Sequence, residues 1–234
     1  MPTNVQFPTT RWTLILSAGD DAHRHEALDW LCSHYWRPIY AYLRRRGNDP
    51  SSAQDLTQGF LAAFLQRQSI DGADPNRGRF RSYLLGALKH FLADRYAYQQ
   101  ASSRGGGYEF TSLSFDTVEE RYLQTPSSLS PESLYERQWA LALVDRVLLL
   151  LRSELESAGK STQFEHLKAF MTGDGDYTAA AAALQTPEGA ARVAVHRLRR
   201  RYRELLTAEI AETVQNPGDV EAEIRHLIDV ISES

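Results

Sequence analysis

Arg192, Arg197, Arg199, Arg200, Arg201 and Arg203 fall within one short stretch, with His196 among them and Glu188 the one acid between Pro187 and Arg203. Guanidinium groups at that density suit phosphate oxygens and guanine edges, so the chemistry on offer is recognition of a nucleic acid. A second basic cluster, Arg77, Arg79, Arg81, Lys89, Arg95 and Arg104, faces only Asp94 and is interleaved with Phe80, Tyr83, Phe91 and Tyr96. Cations with aromatic faces between them provide a path for a strand and a platform for an unstacked base. For each of these residues the competing reading is a solvated arginine above a buried aromatic row.

The first cluster needs a helix to hold it, and the residues around it supply one. Thr178 to Leu184 is an alanine-rich short helix, and alanine is both the best helix former and small enough for close approach. Gln185 and Thr186 make a turn. Thr186 offers an N-cap hydroxyl, Pro187 sits where a missing N–H costs nothing, and Glu188 suits the positive end of the helix dipole. Ala191, Val195, Leu198 and Tyr202 then recur at spacings of four, three and four, forming one apolar seam that leaves Arg192, His196, Arg197 and Arg200 outside it. The pattern predicts a DNA-reading helix-turn-helix. A solvated basic face is its plainer alternative.

Catalytic chemistry finds no comparable support. Gly159-Lys160-Ser161 ends like a phosphate-binding loop, but Glu154 stands where the earlier glycine is required. His23, His25 and Glu26 lack the second histidine of a metalloprotease helix, since Asp29 occupies that place. No nucleophile–base pair, carboxylate constellation, metal spacing or cofactor motif is present, so the expectation is a protein that is not an enzyme. The lone Cys32 lies beside Leu28, Leu31 and Tyr35 and reads as a buried thiol in a reducing compartment. The opening MPTNVQFPTTRW lacks a secretory pattern, and no apolar run could span a bilayer, so the expected setting is cytoplasmic, with no membrane partner.

The 234 residues carry a net charge of −4. That mild total conceals the two basic clusters and a tail from Glu204 onward in which Arg225 is the only arginine or lysine. Periodicity predicts helices over Thr10–Ala18, His23–Arg46 (kinked or broken near Trp36 by Pro38), Ser51–Gln66 and Arg79–Gln100. On the third of these, Leu56, Phe60, Ala63 and Phe64 are expected to face inward. A polar loop covers Ser69–Gly78, and ASSRGGG from Ala101 is a break. Tyr108–Leu129 has no sustained period and reads as a linker. Further helices follow over Pro131–Gly159 and from Ser161 or Thr162. A last amphipathic helix is capped by Asp219 and carries Val220, Ile224, Leu227, Ile228 and Ile231. The expected fold class is all-α: a four-helix module over 1–102, a linker over 103–130, a helix-turn-helix module over 131–214 and a C-terminal extension over 215–234.

Three stretches in series carry a family resemblance: Tyr35 to Leu65, with Asp55-Leu56-Thr57-Gln58 at its centre; Gly78 to Ala97; and Glu188 to Leu205. In that order the chain resembles the extracytoplasmic-function (ECF) sigma factors of bacterial RNA polymerase, in the sigma-70 family. The resemblance implies a sigma2-like and a sigma4-like domain, with core RNA polymerase and promoter DNA as partners. Asp55, Leu56, Thr57 and Gln58 would lie on the helix that docks on the polymerase clamp. Phe60, beside them, reads as core. Arg77, Arg79, Phe80, Arg81, Tyr83, Lys89, His90 and Arg95 would face the minus-ten element, with the loop Asp74–Arg79 a candidate for capturing a flipped base. Glu188, Gly189, Arg192, His196, Arg197 and Arg200 would face the minus-thirty-five element.

Acids that usually flank the Asp-Leu-Thr-Gln core in that family are replaced by Gln54 and Gly59. A phosphoryl group on Thr57 would add about −1.5 to −2 charges there. Phosphorylation of Thr57 by a Ser/Thr protein kinase is thus one expected activating step, beside a plain helix-bonded threonine. An anti-sigma factor is another regulator the resemblance implies. The C-terminal helix either packs on its own domain or forms an acidic lid over a binding face. The functional alternative is a free-standing helix-turn-helix regulator with an N-terminal sensing domain.

Overall fold

The computed structural model describes residues 21–66, 79–99, 115–171, 173–214 and 217–232. The helix expected over Thr10–Ala18, the loop Ser69–Gly78 and the Ala101–Gly107 break lie outside the described residues. Within them, regular structure is entirely helical. The elements are α1 (Asp21–Arg45), α2 (Pro50–Gln66), α3 (Phe80–Gln99), α4 (Phe115–Leu123), α5 (Pro131–Ser157), α6 (Ser161–Leu167), α7 (Tyr177–Ala183), α8 (Glu188–Ala211) and α9 (Val220–Ser232). Short 3₁₀ turns follow α6 at Lys168–Met171 and precede α9 at Pro217–Asp219.

These helices divide into two compact units, Met1–Ala142 with Ile210–Ser234, and Leu143–Glu209. The divisions fall inside α5 and α8 instead of at the expected boundaries near 102 and 130. A helix reads as one uninterrupted period even where its two halves bury against different neighbours, so periodicity alone does not mark such a point.

In the first unit α1 is the central element, with Leu31, Tyr35, Ile39, Tyr40, Ala41, Tyr42 and Leu43 fully buried. Burial on so much of its circumference keeps α1 helical through Pro38, where local propensity predicts a break. Burial also pushes the Cys32 thiol up to about 12, with Asp29 adding to the effect, so it stays protonated. Gly47 takes the left-handed conformation, φ +91°, that lets the chain turn into α2. The cap of α2 is Asp49, not Ser51 or Ser52. Its carboxylate accepts from the Ser52 amide at 3.1 Å and the Ser52 hydroxyl at 2.6 Å, and these bonds hold it below the usual carboxylate range.

The inward row of α2 runs through Ala53, Thr57, Phe60, Leu61 and Phe64, one position round from the expected Leu56 stripe. Phe60 is core, as its spacing suggests. On α3, Phe80, Leu84, Leu88 and Leu92 form the buried row.

The stretch expected to be linker contributes a helix to this unit. Phe115 of α4 packs edge-on against Trp36, ring centroids 5.0 Å apart, and tilted on Tyr40 at 5.3 Å. Glu119 accepts from the Tyr40 hydroxyl at 2.7 Å and from Arg44 through Nε at 2.9 Å and Nη2 at 2.7 Å. Nine residues with only Phe115 and Val118 buried are too few to register as a period.

The second unit has its own core of Leu151, Phe164, Leu167, Phe170, Ala180, Val195 and Leu198, with Tyr177, Leu184 and Tyr202 against it. The seam expected on α8 is therefore realised: Ala191, Val195 and Leu198 are buried and Tyr202 is partly so.

The Arg44 fork holds the Glu119 carboxyl below the usual carboxylate range, with the Tyr40 hydroxyl assisting. Its ion pair thus stabilises the folded state above the unfolded Glu pKa, and that contribution is lost as pH falls through the lowered folded value. Glu119→Ala is expected to remove about 1–3 kcal/mol from the first unit at neutral pH, the cost of leaving a half-buried Arg44 unpartnered. Urea denaturation at neutral and acidic pH checks this, and the difference between variant and parent should shrink at the acidic end.

Candidate nucleic-acid interface

Asp176 caps α7, accepting from the Thr178 amide at 2.9 Å. The turn that follows is closed by backbone bonds: Thr186 N–H to the Ala181 carbonyl at 3.0 Å and Gln185 N–H to that of Ala182 at 3.1 Å. Gln185 sits at φ +52°, the left-handed position that most often takes glycine after a helix. The Pro187 carbonyl opens α8 by accepting from Ala190 at 2.9 Å and Ala191 at 3.1 Å. The chain therefore has a short helix, a four-residue turn and a long helix, each joint held by its own hydrogen bonds.

The cations of α8 separate into two groups. Arg199 donates to the Phe170 carbonyl at 2.8 and 3.2 Å, anchoring the end of the 3₁₀ turn. Arg201 bridges Glu154 of α5, at 2.6 and 2.8 Å, and Glu204. Arg192, His196 and Arg200 recur every fourth residue on an exposed face, with Arg197 beside them and Glu188 and Gly189 exposed at its start. Arg192 pairs with Glu188 at 2.6 Å and lies over the Tyr177 ring at 4.3 Å, so it is held outward in one orientation. Arg200, 71 % exposed, reaches Glu204 only at 3.5 Å. Val193, 49 % exposed, shares this face and was not among the expected site residues. A β-branched apolar side chain on a polar helix face is the signal that could have marked it.

The second face lies on α2 and α3. Asp55 is exposed on α2, with Leu56 and Gln58 half-buried. Thr57 is fully buried, and its hydroxyl donates to the Ala53 carbonyl at 2.7 Å. In this conformation a kinase has no route to it, so the expected modification has no accessible acceptor. Its position on the row Ala53–Thr57–Phe60–Leu61–Phe64 explains why: the hydroxyl satisfies itself on its own helix and the methyl faces the core.

A cavity of about 380 Å³ opens between the two helices, lined by Phe60, Phe64, Tyr83, His90, Phe91 and Asp94. Tyr83 is half-buried and His90 exposed at this site. Arg95 is half-buried above the Phe91 ring at 6.0 Å, and Lys89 forms an exposed pair with Glu132 at 2.8 Å.

Two residues expected to face DNA do not. Phe80 is core, edge-on to Trp30 at 5.8 Å and Tyr35 at 5.2 Å. Arg81 is 3 % exposed, paired with Glu136 and Glu223 and seated over the Trp139 ring at 4.4 Å. Arg81, Leu84, Leu88 and Leu92 share one helix face, and that spacing is the sequence signal for its burial. Arg79, less buried, contacts Glu223 at 2.8 Å. Arg77 lies outside the described residues.

Residues 31–102 match the family Sigma-70 region 2, a span that contains α2, α3 and all but the first turns of α1. This part of the chain is a Sigma-70 region 2 domain. Region 2 is a domain of the sigma-70 sigma factors, a family of non-enzymatic transcription-initiation proteins, and the matched span is under a third of the chain. No curated protein and no solved structure matches the chain. No helix among the described residues is long and apolar enough to cross a membrane, and none of their His, Cys, Asp and Glu side chains cluster as a metal site would require.

Within region 2 the structure thus brings Asp55, Leu56 and Gln58 to the surface of α2, and Tyr83, Lys89, His90 and Arg95 to that of α3. It withdraws Thr57, Phe80 and Arg81.

Arg81→Ala would remove the buried guanidinium shared by Glu136 and Glu223, leaving Glu223 to the half-exposed Arg79 alone. Thermal or urea unfolding is expected to show a loss of about 3–5 kcal/mol, the usual cost of breaking a buried pair from one side. Gln185→Gly should act in the opposite sense, raising the stability of the second unit by about 0.5–1 kcal/mol by relieving the left-handed backbone.

Proposed function

We propose that the chain is a sigma factor of the extracytoplasmic-function type, a promoter-specificity subunit that recruits core RNA polymerase and helps open DNA. The observation that carries this reading is the coincidence of a Sigma-70 region 2 domain with a separate short-helix, turn, long-helix unit bearing an exposed arginine row. Region 2 would dock on polymerase through α2, where Asp55, Leu56 and Gln58 are accessible, and engage the minus-ten element through α3. Tyr83, Lys89, His90 and Arg95 are the accessible members of that second set, with Arg79 just ahead of α3. The cavity beside Tyr83 and His90 has aromatic walls suited to an unstacked base.

The α7–turn–α8 unit would act as a helix-turn-helix on the minus-thirty-five element. Its exposed face combines helix-start groups, Glu188 and Gly189, with Arg192, His196, Arg197 and Arg200. Guanidinium forks of Arg197 and Arg200 can each take the O6 and N7 acceptors of a guanine, and Val193 can meet a thymine methyl. Arg199 and Arg201 have structural duties within the unit and are left out of that role.

Activation through Thr57 forms no part of this proposal, since its hydroxyl is sealed and bonded to Ala53.

Pull-down with core RNA polymerase, followed by transcription from a pool of promoter fragments, tests the reading. Polymerase binding and specific transcripts are expected. A chain that shifts DNA but ignores polymerase would instead be a free-standing helix-turn-helix regulator. Arg197→Ala and Arg200→Ala should each weaken promoter affinity by about tenfold or more, as loss of a bidentate base contact does. Arg199→Ala should act through stability of the second unit.

A further inference from the structure

Glu223 is the one acid of α9 that is buried, at 1 % exposure, in a helix otherwise carrying its acids outward at Glu221 and Asp229. Its two carboxylate oxygens are divided between Arg79, at 2.8 Å, and Arg81. Arg81 also holds Glu136 of α5, which in turn meets His226 of α9 at 3.1 Å. With α9 in place, Arg79 and Arg81 balance Glu136 and Glu223. Without it, the two arginines face one carboxylate, and an anion-sized place opens at the start of α3. A carboxylate spanning two guanidinium groups occupies the position that a phosphate takes in arginine-based recognition.

The rest of α9 is attached lightly. Val220 and Leu227 are its buried apolar residues, while Ile228 on the same stripe is 54 % exposed. The helix end is held by Arg137 reaching the Val230 and Ile231 carbonyls at 3.4 and 3.3 Å, both long. Thirteen residues make a marginal helix in water, so detachment and unwinding would go together. A buried ion pair on such a small apolar footprint contributes more to where the helix sits than to how firmly.

We propose that α9 is an intramolecular competitor for DNA: Glu223 occupies an anion seat formed by Arg79 and Arg81, and a strand phosphate binds there only when α9 leaves. This rests on the reading of α3 as the DNA face of region 2. The seat stands at the start of the helix that carries that face, and paired guanidinium groups suit a phosphate, so a strand phosphate is the anion assigned to it. Arg81 would then serve in turn as core ion pair and as phosphate ligand.

The test uses the full chain and a fluorescent oligodeoxythymidine strand, with binding followed by anisotropy at low and moderate salt. Glu223→Gln keeps the shape of the side chain and removes its charge. It should bind the strand about tenfold more tightly than the parent, the difference made by one charge-assisted contact. Adding Arg79→Ala to Glu223→Gln should cancel that gain. Unchanged strand affinity in a folded Glu223→Gln protein would overturn the proposal and make the contact purely structural. Should Glu223→Gln fail to fold, hydrogen exchange of the parent decides. Amides of 220–232 should exchange faster when the strand is added, and unchanged protection at saturating strand would overturn the proposal. Core-polymerase binding of the parent is scored separately. Its absence alongside strand-induced release of α9 would sink the sigma-factor reading and leave the competitor standing.

Discussion

Arg81 carries a charge that it cannot shed, on a side chain almost wholly removed from water. An arginine in that position is tolerable only if carboxylates and an aromatic face replace its hydration. Glu136, Glu223 and Trp139 supply them, from α5 and α9, and Tyr135 adds a hydrogen bond to the Arg81 carbonyl at 3.1 Å. Burial pulls the guanidinium pKa down and Glu136 pushes it back up, yet arginine stays protonated across the physiological range. The arrangement of α3, the first half of α5 and α9 within the first unit follows from that requirement. It also explains why the unit includes two segments that periodicity assigns elsewhere, the start of α5 and the C-terminal helix.

The same constraint shapes the DNA-facing chemistry. A basic helix start in region 2 would, if open, attract any polyanion indiscriminately. Here the cations nearest the core are neutralised internally, Lys89 is paired with Glu132, and the exposed cations of α8 are partly matched by Glu188 and Glu204. On the proposed function, this pairing would hold intrinsic DNA affinity down and leave engagement to polymerase or to competition.

Much of this was legible in the residues. The α8 seam, the Asp-Leu-Thr-Gln helix and the short-helix, turn, long-helix pattern follow from 3.6-residue periodicity and turn chemistry, which are local. Failures came where long-range partners decide the outcome. Arg81 and Thr57 look functional by type, but each lies on the buried row of its helix: Arg81 is satisfied by Glu136 and Glu223 from distant helices, and Thr57 by the Ala53 carbonyl of its own. Pro38 predicts a break that burial on most sides of α1 overrides. The α4 helix escaped notice because its weight comes from Phe115 and from Glu119 meeting Arg44, 75 positions away in sequence. Lys89, by contrast, is exposed as its position suggests and differs only in having Glu132 as a partner.

The central claim is that this chain opens promoter DNA in company with core polymerase. Permanganate reactivity of thymines in a promoter fragment measures that opening directly. Thymines around the minus-ten element should become reactive when both the chain and core polymerase are present, and with neither alone. Unreactive thymines in the presence of both proteins, on a fragment the chain demonstrably binds, would contradict the account.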